Sequence, residues 1–176
     1  MRSFKILVVD DFEPFRRLVC SILQKRPEFQ VIQASDGLEA IHNAEALQPD
    51  LILFDIRLPK LNGIEAARHA LKLAGHAKIL FLSQESSPEV VREALSLGAS
   101  GYVHKLRAQD ELLLAVKAVL QGKRFVGSGL QGHEFGDSMD AKPADINKGL
   151  GRGKARIWSV RLSARILSAL HLTRYR

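Results

Sequence analysis

The feature that most constrains this chain is a fivefold alternation of short apolar runs with amphipathic stretches. Phe4–Val9, Gln30–Ala34, Leu51–Phe54, Lys78–Leu82 and Gly101–Val103 read as strands, and three of them are nearly continuous hydrophobic runs. Strands of that composition are buried on both faces, which happens when helices cover both sides of a parallel sheet. The intervening segments carry helical spacing. Phe15, Leu18, Val19 and Ile22 line one face of a first helix, and Leu38, Ile41 and Ala44 mark a second. Ile64, Ala67 and Leu71 mark a third, and Val90, Val91, Ala94 and Leu97 a fourth that Gly98 can cap. Leu112–Leu120 forms the fifth, stopped by Gln121 and Gly122. Strict strand–helix alternation predicts an α/β fold, a doubly wound five-stranded parallel sheet. Ligand sites in such sheets lie at the carboxyl ends of the strands.

Chemically apt residues fall at those ends. Asp10 and Asp11 follow the first strand, Asp55 the third, Ser83 the fourth and Lys105 the fifth. Asp36 is of another kind, because Glu39 three residues on makes it a helix N-cap with a capping-box partner. Three carboxylates gathered in a half-buried cleft repel one another. A hard divalent cation relieves that repulsion, and Mg²⁺ favours carboxylate and water oxygens with phosphate nearby. A carboxylate can also attack a phosphoryl group to give an acyl phosphate. The transferred group then needs cations and hydroxyl donors around its oxygens, which Lys105 and Ser83 supply.

The stretches ILVVDD at 6–11, PDLILFDIRLPKLNGIE at 49–65, ILFLS at 79–83 and LGASGYVHK at 97–105 resemble the receiver domain of two-component response regulators. The resemblance covers roughly residues 4–128, and LLLAVKAVLQGKRFVG resembles the last receiver helix of a subfamily that often carries a C-terminal helix-turn-helix output domain. It implies a flavodoxin-like strand order 2-1-3-4-5 and a phosphorelay switch that takes its phosphoryl group on Asp55 from a histidine kinase. It further implies Mg²⁺ held by Asp11 and Asp55, by Asp10 partly through water, and by the backbone carbonyl of Arg57. Ser83 then bonds the phosphoryl group, Lys105 pairs with it, and Tyr102 is the switch aromatic that follows Ser83. Homodimer or partner contact through the last helix, last strand and neighbouring helix is also implied. Three departures bear on the site. Leu106 follows Lys105 where many receivers have proline, Gln84 follows Ser83 where alanine is frequent, and Arg57 places a cation two residues after the acceptor. Gln84 and Arg57 are expected to tune the lifetime of the phosphorylated state.

Other readings have less support. Gly127 to Gly132 matches G-x-G-x-x-G, but follows a helix and opens no βαβ unit. The six histidines show no metal-ligand spacing, and Cys20 reads as a small buried hydrophobe. An aspartate-nucleophile phosphatase would place a second acid where Arg57 stands, so a non-enzymatic switch is expected. No apolar stretch approaches a transmembrane span, and a cytoplasmic location is expected.

Charge divides the chain. The net +7 lies mostly in the tail, since residues 129–176 hold 9 Lys/Arg against 4 Asp/Glu, and eight basic residues follow from Lys148 with no acid. The expected organisation is a receiver over 1–127, a linker over 128–156 and a basic amphipathic helix over 157–172. Trp158, Leu162, Ile166 and Leu170 form the apolar stripe of that helix, with Arg161 and Arg165 beside it. Docking on the receiver or a partner, binding nucleic acid or an anionic membrane surface, and a poorly ordered remnant are all open readings. A DNA-binding transcriptional regulator using this tail is the alternative function. No second domain of several helices is recognisable there.

Overall fold

The apolar runs are strands lying side by side in parallel, as the computed structural model shows for residues 3–130. The elements run β1 (Phe4–Val9), α1 (Glu13–Leu23), β2 (Phe29–Ala34), α2 (Gly37–Leu47), β3 (Leu51–Phe54), α3 (Gly63–Leu73), β4 (Lys78–Ser83), α4 (Pro88–Ser96), β5 (Gly101–His104), a 3₁₀ turn (Lys105–Arg107), α5 (Ala108–Leu120) and β6 (Phe125–Val126). The sheet order is β2-β1-β3-β4-β5-β6, with every pairing parallel. This is the flavodoxin-like receiver order, with a sixth strand of two residues added beyond the five expected. The tail helix expected at 157–172 lies outside the described residues.

The pleat sends alternate residues to opposite sides of the sheet. Ile6, Val8, Leu51, Leu53, Leu80, Leu82 and Val103 pack with Val19 and Leu23 of α1 and with Leu112, Val116 and Val119 of α5. Their neighbours Leu7, Val9, Ile52, Phe54, Ile79, Phe81 and Tyr102 are equally buried on the other side, under α2, α3 and α4. Burying both faces of β1, β3 and β4 explains their uninterrupted apolar runs. Parallel strands need crossovers, and these are almost always right-handed. The last one is not. Because α5 shares a face with α1 while β6 lies beyond β5, the β5–α5–β6 connection is left-handed.

Helix ends follow the local chemistry. The Asp36 side chain accepts from the backbone N–H of Leu38 and Glu39, each at 2.9 Å, and so caps α2. Glu39 does not complete a capping box on Asp36. Its carboxylate reaches one residue further back, to the Ser35 N–H at 2.7 Å and hydroxyl at 2.8 Å. Gly98 ends α4 with φ +98°, a left-handed position that glycine adopts without strain. Beyond β6 the chain stays attached: Gly127 N–H donates to the Tyr102 carbonyl at 2.8 Å, and Ser128 N–H donates to Glu111 of α5 at 3.1 Å.

One glycine decides how the loop after β3 is drawn against the sheet. Gly63 N–H donates to the Ile56 carbonyl at 2.8 Å, and a Cβ there would lie 1.8 Å from the Asp55 carbonyl oxygen. Gly63→Ala is therefore expected to destabilise the fold by about 3 kcal/mol or more. Gly75→Ala, whose Cβ would meet nothing closer than the Leu71 carbonyl at 3.7 Å, should be nearly neutral by urea denaturation.

Candidate functional site

The switch in strand order lies between β1 and β3, and both strands deliver acids to the same end of the sheet. Asp55 N–H continues the ladder by donating to the Val9 carbonyl at 2.9 Å, which sets Asp55 beside Asp10. Asp10 and Asp55 are 3% and 5% exposed, while Asp11 is exposed at the rim. Carboxylate oxygens of the three all lie within 4.8 Å of one another. Lys105, carried in from the 3₁₀ turn after β5, places its Nζ 2.7 Å from an oxygen of Asp10 and 2.7 Å from an oxygen of Asp55. The same ammonium stands 4.7 Å over the centre of the Phe15 ring.

Burial raises the carboxyl pKa of Asp10 more than its hydrogen bond to Lys105 lowers it. Burial alone would lower that of Lys105, but its bonds to Asp10 and Asp55 outweigh burial and raise it, so the ammonium stays charged. Asp55 is oriented from both sides. One oxygen accepts from the Ile56 N–H at 2.7 Å and the other from Lys105. An oxygen-only donor set with three carboxylates against one lysine fits a hard divalent cation such as Mg²⁺, and does not fit a soft metal.

A cleft of about 270 Å³ opens here, lined by Asp11, Phe12, Phe15, Asp55, Arg57, Ser83, Gln84 and Lys105. Every residue expected from sequence to form the site is thus brought to one place, except Tyr102, which lies fully buried beside it. Glu85, which the sequence did not single out, joins the parts. Its carboxylate pairs with Arg57, its N–H reaches the Ser83 hydroxyl at 3.4 Å, and its carbonyl accepts from the Tyr102 hydroxyl at 2.7 Å. Burial raises the Tyr102 phenol pKa, so it remains a donor. His104 braces Gln84, the residue before Glu85. Its Nδ1 accepts from the Leu106 N–H at 3.3 Å, which leaves Nε2 to donate to the Gln84 carbonyl at 3.1 Å. No peptide bond among the described residues is cis, including the one after Lys105.

On the far side of the cleft Lys60, at φ +66°, reaches from the β3–α3 loop to Asp36. Burial alone would raise the Asp36 carboxyl pKa, but Lys60 and the two capping N–H groups outweigh it and hold the pKa below the ordinary 3.8.

A parallel sheet of this order with an acidic pocket and a bridging lysine at its carboxyl end is the architecture of a receiver domain. Comparison with known proteins agrees: a family model described as the response regulator receiver domain matches residues 6–117. The chain belongs to that family, and this part of it is a receiver domain of the two-component response regulators. The transcriptional regulatory protein DegU of Brevibacillus brevis is 40% identical over 125 residues, which are 70% of this chain and 53% of that protein. The DNA-binding transcriptional activator DevR/DosR of Mycobacterium tuberculosis is 38% identical over 123 residues, 69% and 57% of the two chains. The chain therefore spans just over half the length of these relatives. Among solved structures, a LuxR-family two-component response regulator from Aurantimonas sp. SI85-9A1 matches at 32% identity and a TM-score of 0.69, covering 73% of this chain and 92% of that one. Among the described residues, no helix is long and apolar enough to cross a membrane.

The Asp36 cap carries a pH signature. A carboxyl with a depressed folded pKa adds stability that is complete above its unfolded value, 3.8, and lost as the pH falls below it. Asp36→Ala should lower the unfolding free energy by about 1 kcal/mol at neutral pH. Urea denaturation should show that gap narrowing as the pH drops below 3.8.

Proposed function

We propose that the chain accepts a phosphoryl group on Asp55 from a phosphohistidine of a histidine kinase, and that the resulting acyl phosphate switches the domain between two states. The Lys105 ammonium, 2.7 Å from both Asp10 and Asp55, carries this reading. It offsets part of the pocket's negative charge before transfer and stands within reach of a phosphoryl oxygen after it. Asp10, Asp11, Asp55 and the Arg57 backbone carbonyl would hold Mg²⁺, which would draw off charge from the oxygens of the transferred group. In the transfer an Asp55 oxygen attacks phosphorus, the P–N bond breaks, and the imidazole nitrogen leaves with the electron pair. Lys105 then turns from carboxylate to phosphoryl oxygen. The Ser83 hydroxyl accepts from the Glu85 N–H and keeps its own proton to donate to the phosphoryl group. A move of Ser83 toward it would disturb Glu85, and through the Glu85 carbonyl the Tyr102 hydroxyl, which makes Tyr102 the switch residue.

The domain reading belongs to the same proposal: receiver over 1–127, linker over 128–156, basic helix over 157–172, in the cytoplasm. The face formed by α4, β5 and α5 is assigned to dimer or partner contact. Eight basic residues without an acid from Lys148 onward support a second reading, a transcriptional regulator whose tail contacts DNA. Duplex binding by residues 1–176 but not by 1–128, weakening steeply with salt, would establish it. Absence of binding in every state leaves protein partners as the output.

The primary test is intact-mass spectrometry after incubation with Mg²⁺ and acetyl phosphate. One hydroxylamine-sensitive phosphoryl group per chain is expected, and none in Asp55→Asn. Labelling of Asp55→Asn at the wild-type rate would overturn the assignment. Steady turnover of a phosphate ester would instead reveal a phosphatase.

Arg57 is held by Glu85 across the cleft mouth and Gln84 lines the cleft, so both govern water access to the acyl phosphate. Arg57→Ala and Gln84→Ala should change the dephosphorylation rate severalfold. Rates equal to wild type in both variants would remove these residues from the account.

A further inference from the structure

Lysine carries its charge on a flexible four-carbon stem and loses rotamer freedom when that charge is fixed in one place. Lys105 is nevertheless fixed, with only 8% of its side chain exposed. The neighbouring Leu106 points the other way and is 86% exposed, so the backbone of the 3₁₀ turn does not by itself bury this stretch. Three groups hold the ammonium: the Asp10 carboxylate, the Asp55 carboxylate and the face of Phe15. The two carboxylates are compromised as anchors, because both are drawn into holding a divalent cation and one becomes an acyl phosphate. The ring has neither duty.

Phe15 is also held independently of the site. Proline in the first turn starts α1, which places Phe15 at the cleft, and its ring packs against the cluster shared by α1 and α5. A 4.7 Å separation from ring centre to Nζ is within cation–π range, and a water-poor setting strengthens the attraction.

We propose that Phe15 is a positioning residue for phosphoryl transfer: its ring face keeps the Lys105 ammonium in the cleft while Asp10 and Asp55 are withdrawn as its partners. The proposal rests on Asp55 being the phosphoacceptor. It assigns Phe15 a role that its place in the apolar stripe of α1 does not reveal. The ring acts on the lysine and not on the cation, so the site should bind Mg²⁺ equally well without it.

The test compares the full chain with Phe15→Leu, which keeps an apolar side chain but removes the ring, and with Phe15→Tyr, which keeps the π face. Acetyl phosphate serves as donor, so no kinase surface is involved. Phe15→Leu should slow phosphorylation and weaken beryllofluoride binding by roughly threefold to thirtyfold, while Phe15→Tyr stays within about twofold of wild type. Mg²⁺ affinity without donor should be unchanged in both variants. The ring-current shift of the Lys105 ε-methylene protons in NMR spectra should vanish in Phe15→Leu alone. Equal behaviour of Leu and Tyr, a parallel loss of Mg²⁺ affinity, or a Leu variant matching wild type would each overturn the assignment. Failure of the acceptor reading looks different: wild type and Asp55→Asn would then be indistinguishable with acetyl phosphate.

Discussion

The Lys105 ammonium between Asp10 and Asp55 is the contact on which the site depends. Two strands that are neighbours in the sheet each end in a buried carboxylate, and the cation between them offsets the repulsion of the pair. The lysine comes from the far side of the sheet, after β5, so the charge balance of the pocket requires that β1, β3, β4 and β5 be assembled in register. Only the assembled sheet brings this cation to these acids.

From that contact two routes lead towards β5. One runs through side chains on the face opposite α1 and α5, where Phe54, Phe81 and Tyr102 occupy matched positions on adjacent strands. Their ring centres are 6.4 Å and 6.2 Å apart. Phe54 immediately precedes Asp55, so the row connects the strand that ends at Asp55 to the strand that carries Tyr102 through close-packed matter that transmits displacement. The other route is polar and passes through Glu85, whose three bonds touch Arg57, Ser83 and Tyr102. Both routes converge on Tyr102.

Legibility in the sequence followed the kind of atom involved. The buried strands and the strand-end acids were readable because side-chain type carries that information: continuous apolar runs, then Asp, Ser or Lys. Glu85 was not readable, since two of its three contacts use backbone N–H and C=O groups, which every residue offers. Asp36 was readable as a cap, but not as a partner of Lys60, because that pairing depends on the left-handed turn of the β3–α3 loop. Phe15 fitted the helical stripe of α1 so well that its second neighbour, a charge, left no trace in the pattern. Strand β6 was invisible because two residues are too few to show alternation.

The hand of the last crossover bears on what comes after it. A left-handed connection forgoes the match between strand twist and helix packing, and here it ends in two residues of ladder closed by the Glu111–Ser128 bonds. A two-residue edge strand is held by few ladder bonds, and such elements open at lower free energy than core strands. Its last bond is made to the carbonyl of Tyr102 itself. The fold thus ties Gly127, just past β6, to the strand that carries Tyr102 by a seam of few bonds.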